Sequence, residues 1–97
     1  MYYNKEGQEI GLIEWGKLFE NLEYKRVAET TLKDGKWIST VWLGLDHGFG
    51  EKIQIFETMV FPNKEDGDDL DCERYSTLGK AITGHKKMVE KWEILHE

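Results

Sequence analysis

The hydrophobic positions near the start of the chain follow a helical period. Leu12, Trp15, Phe19 and Leu22 recur at spacings of three and four within residues 10–23. Side chains at these spacings share one side of an α-helix, while the polar residues between them face water. The pattern therefore predicts an amphipathic N-terminal helix with one buried face.

The next segment changes to runs that are rich in β-branched and aromatic residues. Residues 27–32 and 37–45 flank the dipeptide Asp34-Gly35. Asp-Gly between two such runs favours a two-residue hairpin, because a type I′ turn requires positive φ at both central positions. In that register Leu32 faces Trp37, and we expect the sheet face that carries both residues to meet the helices.

Trp42 falls on the opposite face in this register, among polar neighbours that include Glu29 and Thr40. An exposed aromatic side chain among polar residues is typical of a contact hot spot in a protein interface. The sequence therefore offers Trp42 as a partner-binding residue. The alternative is that the helices cover this face.

The second half of the chain predicts one long strand, an optional short one and a closing helix. Residues 53–61 form the long strand, which Pro62 ends because proline cannot donate to a sheet. Residues 73–76 suit a short further strand. Ser76 or Thr77 can cap the helix. Its apolar stripe consists of Leu78, Ala81, Ile82, His85, Met88, Val89 and Trp92.

These elements predict one α+β domain that spans residues 1–97. It has an N-terminal helix, an antiparallel meander of three or four strands, and a C-terminal helix packed on one face of the sheet. A chain of 97 residues has room for one core and not for two. No apolar run approaches the roughly 18–20 residues that a membrane-spanning helix needs, so we expect an intracellular protein.

The charge of the chain changes which partners it can be expected to bind. Thirteen basic residues stand against 19 acidic ones, a formal net charge of −6. This charge opposes direct binding to nucleic acid or to an anionic membrane, and it favours a basic protein surface. The densest acidic run lies at residues 65–73, where Asp66, Asp68, Asp69 and Glu73 are the candidates for such contacts. A solvated loop is the alternative.

A second set of residues has the chemistry of zinc ligands. His85 interrupts an apolar stripe, and the loops that carry Asp46, His47 and Cys72 could meet at one end of a meander. Histidine, cysteine and carboxylate oxygen are the ordinary zinc ligands. The chain lacks the paired spacings of familiar zinc motifs, so the competing interpretation of His85 is a hydrogen-bonded core histidine.

Several strings of residues resemble a group of short proteins found in phages and prophages of Gram-positive bacteria. They are WISTVWLGLDHGFG at residues 37–50, IFETMVF at residues 55–61 and ERYST at residues 73–77, followed by Gly84-His85 and Met88-Val89. Some short, acidic phage proteins inhibit bacterial defence, including anti-CRISPR proteins that bind the Cas9 nuclease. The resemblance implies such a role in the cytoplasm of the bacterial host.

Our hypothesis from the sequence is a non-enzymatic inhibitor that occupies a basic surface of a Cas9-type nuclease. One alternative is a small-ligand sponge for a nucleotide second messenger, with residues 48–50 in its pocket. The other is a small metal-dependent hydrolase that uses Asp46 and His47, with a metal at Cys72 and His85.

Overall fold

A computed structural model describes residues 1–46 and 53–94 of the chain. Its elements are β1 Tyr2–Tyr3, β2 Glu9–Ile10, α1 Leu12–Phe19, α2 Leu22–Lys25, β3 Arg26–Thr31, β4 Trp37–Trp42, β5 Phe56–Phe61, β6 Asp71–Tyr75 and α3 Leu78–Ile94. The four longer strands form one antiparallel sheet in the order β3-β4-β5-β6, and β1 pairs with β2. This arrangement confirms the α+β fold, with the short strand at residues 73–76 present as β6.

The predicted N-terminal helix is two helices, not one continuous helix. The chain leaves α1 at Glu20, and Asn21 adopts extended backbone angles while its side chain accepts a hydrogen bond from the Tyr24 amide. Asparagine favours such a cap because its side chain competes with the helix for backbone groups. As a result Leu12 and Leu22 are exposed, at 58% and 69%, although both belong to the predicted stripe.

A short hairpin precedes α1, and the apolar pattern gave no sign of it. The side-chain oxygen of Asn4 accepts hydrogen bonds from the amides of Glu6 and Gln8, at 3.0 and 2.9 Å. Gly7 completes the turn at a φ of 83°. Two-residue strands are too short to show an alternation of apolar and polar positions, so only the turn chemistry could have signalled this hairpin.

The turn between β3 and β4 differs from the predicted type I′ turn. The Leu32 amide donates to the Lys36 carbonyl, and the Gly35 amide donates to the Leu32 carbonyl, at 2.8 and 2.9 Å. The connection therefore has three residues, with Gly35 alone at positive φ. This geometry is the common alternative for a short hairpin. It moves the register by one residue, so that Thr31, not Leu32, lies opposite Trp37.

The buried face of β4 is consequently the one that was expected to be exposed. Ile38, Thr40 and Trp42 each have no exposed surface, whereas Trp37 is only half-buried. Leu32 clusters with Ile38 and not with Trp37. The shift of one residue places Leu32 on the face of Ile38 instead of the face of Trp37, and the packing of α3 buries that face.

Helix α3 covers this buried face and contacts all four strands. Thr77 caps it, because its side-chain oxygen accepts from the Lys80 amide at 3.1 Å. Its core side carries Ala81, His85 and Met88, while Ile82 is 43% exposed despite its place in the predicted stripe. The core has two apolar clusters, one at each end. The first contains Trp42, Phe56, Tyr3, Ile55 and Ala81. The second contains Ile38, Val60, Leu32 and Met88.

Candidate functional site

Residues 65–70 of the acidic run form an exposed loop between β5 and β6, and the rest of the run belongs to β6. The side-chain oxygen of Asn63 accepts hydrogen bonds from the amides of Glu65 and Asp66, at 2.9 and 2.8 Å. At the other end of the loop, the Leu70 amide donates to the Val60 carbonyl at 2.6 Å. The asparagine turn and this backbone bond fix the two ends of the loop, so its carboxylates are held outside the sheet.

The carboxylates of this region divide into one structural group and an exposed group. Asp71 accepts hydrogen bonds from Lys91 Nζ at 2.7 Å and Trp92 Nε1 at 3.1 Å, which ties β6 to α3. The bond from Lys91 lowers the pKa of Asp71, so it stays ionised. The other carboxylates are solvent-exposed and, within the described chain, have no ion-pair partner; they are Glu65, Asp66, Asp68, Asp69 and Glu73.

The predicted role of Trp42 as an exposed contact residue is wrong. Its side chain is fully buried, and its indole Nε1 donates to the Tyr3 carbonyl at 3.0 Å. The apolar residue that does stand among the acidic side chains is Leu70, which is 45% exposed. Sequence reasoning missed Leu70, although a single apolar residue within an acidic run was the available signal.

His85 is a core histidine that bonds to threonines at both ring nitrogens. Its Nδ1 lies 2.7 Å from Thr40 Oγ1, and its Nε2 lies 2.8 Å from Thr30 Oγ1. Thr40 is bonded in turn to Thr58. Burial lowers the pKa of His85, which favours the neutral ring. A neutral imidazole has one donor and one acceptor nitrogen, and threonine hydroxyls can serve both.

The four predicted zinc ligands are not brought together in the described chain. Cys72 lies on the opposite sheet face from His85, because it alternates with Asp71, whose side chain bonds to α3. Asp46 accepts a hydrogen bond from the Gln54 amide at 3.3 Å, and His47 lies outside the described residues. In residues 1–46 and 53–94, no three side chains of the metal-binding types form a group that could hold an ion.

The thiol of Cys72 also lacks the character of a nucleophile or a ready metal ligand. Its sulfur is 3.6 Å from a carboxylate oxygen of Glu57, which is ion-paired with Arg74 at 3.0 Å. Burial and the negative charge of Glu57 raise the pKa of Cys72 to about 11. A reactive cysteine needs the opposite environment, one that stabilises the thiolate.

The sheet brings two further carboxylates onto one face but keeps them apart. Glu29 lies opposite Ser39, and Glu57 lies opposite Val41, so both point away from α3. They are two strands apart, roughly 10 Å at the usual strand spacing. Each is also ion-paired with an arginine, Glu29 with Arg26 at 3.6 Å and Glu57 with Arg74 at 3.0 Å. They do not form a close acid and base pair.

Comparison with protein-family models, with curated proteins and with solved structures gives no match for this chain. In the part of the chain that the structure describes, no helix has the length and apolar composition needed to cross a membrane. The assignment of function therefore depends on the surfaces described above.

Proposed function

We propose that this protein is a non-enzymatic inhibitor, encoded by a phage or prophage, that binds a basic surface of a bacterial defence nuclease of the Cas9 type. The binding surface is the acidic loop at residues 65–70 together with Glu73 on β6. Its site of action is the cytoplasm of the bacterial host.

The observation that carries the proposal is the concentration of exposed carboxylate on this loop. Residues 64–73 contain six acidic residues and one lysine, a net charge of −5 within a chain of net charge −6. A nuclease channel that binds nucleic acid is lined by lysine and arginine, and an acidic protein surface can compete for it. Leu70 supplies an apolar contact at the edge of the same surface.

The resemblance to short phage proteins supports the proposed source and host. The buried position of Trp42 changes the proposed contact set: the carboxylates provide attraction and orientation, and Leu70 replaces Trp42 as the apolar contact. Contacts between exposed charges depend strongly on salt, so binding should weaken as the ionic strength rises.

The test is a triple substitution that neutralises the loop without changing its size. We expect D66N/D68N/D69N to lower the affinity for a purified Cas9 nuclease by on the order of tenfold, because three attractive charges are lost. Inhibition of target DNA cleavage should fall in parallel. Surface plasmon resonance and a cleavage assay measure the two effects.

The matched control is E14Q/E20Q/E23Q, which removes the same number of exposed negative charges from the two N-terminal helices and the short connection between them. It should change the affinity by less than about threefold, since these residues lie outside the proposed surface. Equal weakening by both variants would mean that net charge alone matters. Undiminished binding of the loop variant would exclude the loop as the binding surface.

A further inference from the structure

A groove with the opposite charge runs between β6 and α3. Its cavity has a volume of about 380 Å³. Tyr75 and Met88 provide apolar surface, and the Tyr75 ring lies directly against the backbone at Gly84. The remaining lining residues are Glu73, Lys80, Thr83, Lys87 and Lys91.

Three lysines give this groove its positive charge. Lys80, Lys87 and Lys91 follow the helical period, so they lie in a row along the side of α3 that faces β6. Lys91 is paired with Asp71, whereas Lys87 has no ion-pair partner among the described side chains. The acidic residue that lines the groove is Glu73. An acidic protein thus carries a local cluster of positive charge.

The strand beside the lysine row has an open edge. β6 is the last strand of the sheet and pairs with β5 on one side; no other described strand pairs with it. Cys72, Glu73 and Arg74 are exposed along it. An open edge presents backbone groups that an extended peptide can use to add a further strand.

We propose that this groove binds an extended acidic segment of a partner protein, which pairs with the open edge of β6 and directs alternate carboxylates toward the lysine row. Alternate residues of a strand are about 6.8 Å apart. Residues four apart in a helix, such as Lys87 and Lys91, are about 6 Å apart along the axis. The two spacings match closely enough for successive carboxylates to meet Lys87 and Lys91, the second of which also bonds to Asp71, while Lys80 lies about 10.5 Å from Lys87 along the axis.

A peptide fits this site better than a nucleic acid does. Glu73 lies within the groove, and the net charge of −6 repels a long phosphate backbone. A peptide needs only a few local charge contacts and gains hydrogen bonds from the strand edge. The site differs from the loop at residues 65–70 in position and in sign of charge and shares only Glu73 with the proposed nuclease-binding surface, so it goes beyond the proposed inhibition of a nuclease.

The experiment uses a blocked, fluorescein-labelled heptapeptide in which glutamate alternates with threonine, and the full chain without any nuclease. Fluorescence anisotropy at low salt should show saturable binding. K87Q should weaken peptide binding about two- to fivefold, the change in affinity that the loss of one partly exposed ion pair produces. E73Q should strengthen it, because a repelling charge is removed.

The matched control is K86Q, which makes the same charge change at the neighbouring position of α3, outside the groove lining. It should leave the affinity within about 1.5-fold of the wild type. A peptide with N-methylated backbone amides at alternate positions should bind at least fivefold more weakly, because it cannot complete the strand pairing. D66N/D68N/D69N should bind the peptide at least as well as the wild type, which separates this site from the acidic loop.

Four results would overturn the proposal. The first is the absence of saturable binding; the second is equal weakening by K86Q and K87Q. The third is binding of inorganic polyphosphate with no binding of the peptide, which would assign the groove to phosphate ligands instead. The fourth is a set of peptide-induced changes in amide chemical shift that lies elsewhere and leaves residues 71–75 and the facing side of α3 unaffected, which would exclude strand addition.

Discussion

At the scale of single residues, His85 shows how one polar side chain can be accommodated in a small core. It lies between Ala81 and Met88 on α3 and bonds to threonines on two strands. Thr40 and Thr58, which extend the network, have no exposed surface. A buried polar network of this kind is stable only when each member finds a partner, and here the ring and the hydroxyls satisfy one another.

The lowered pKa of His85 predicts a specific dependence of stability on pH. Between the ordinary histidine value of about 6.5 and the lowered folded value, the unfolded chain binds more protons than the folded chain. Stability from the neutral ring is therefore present above pH 6.5 and is lost as the pH falls through this window. We expect the wild type to lose more unfolding free energy than H85Q between pH 7.5 and pH 5.

Urea titrations at several pH values measure this difference. Because the two proteins share all other ionisable groups, the difference reports on His85. H85Q itself should cost about 1–3 kcal/mol at pH 7.5, because buried threonine hydroxyls lose their partner. Parallel stability curves for the two proteins would show that the folded structure does not lower the pKa of His85.

At the scale of elements, the packing of α3 on β6 depends on a glycine. At Gly84 a Cβ atom would overlap the ring of Tyr75, whereas at Gly79, on the same helix, a Cβ atom would meet open space. Alanine at position 79 therefore tests the helix preference for alanine alone, whereas alanine at position 84 also tests the close approach of the Tyr75 ring to the helix.

We expect G84A to destabilise the fold by about 2–3 kcal/mol, because the new methyl group must displace a packed ring. G79A should instead stabilise it by up to about 1 kcal/mol, since alanine is the better helix former. Chemical denaturation of both variants gives the two free energies. Similar values of the same sign would mean that Tyr75 does not pack against Gly84 as described.

At the scale of the whole molecule, α3 connects parts of the sheet that are distant in sequence. It contacts β3, β4, β5 and β6. The hydrogen-bonded threonines and His85 lie between the two apolar clusters of the core. The charges are distributed unevenly over this core, with the acidic loop and the lysine groove on adjoining surfaces. The two proposed binding functions can be separated by substitutions that leave Glu73, which belongs to both surfaces, unchanged.

This connectivity predicts that residues 1–97 unfold as one domain. Far-ultraviolet circular dichroism reports mainly on α3 and the sheet, and tryptophan fluorescence reports in part on Trp42, against which Phe19 and Tyr24 pack. We expect both signals to change in a single, coincident transition, as small domains with one continuous core do. An earlier fluorescence change would show that the N-terminal helices separate from the sheet before the sheet unfolds.

The sequence by itself determined the elements whose patterns are local. The capping Thr77, the apolar spacing of α3 and the acidic run all act over a few residues and predicted a helix start, a helix and a loop at residues 65–70, and Asp34-Gly35 placed the hairpin although not its turn type. His85 was likewise expected to face the sheet. These signals depend on backbone geometry and charge, which neighbouring residues set.

Only the tertiary structure decided the register and the buried face, and with them the burial of Trp42. One residue of difference in the β3–β4 turn exchanged cross-strand neighbours, and both faces of β4 carry large apolar side chains, so the sequence pattern did not fix the face. The choice was made by long-range packing, in which Trp42 fills the core and Thr40 bonds to His85. The lysine groove beside β6 likewise exists only where α3 meets the sheet, because β6 and α3 are successive elements that face each other only when the helix packs back onto the sheet.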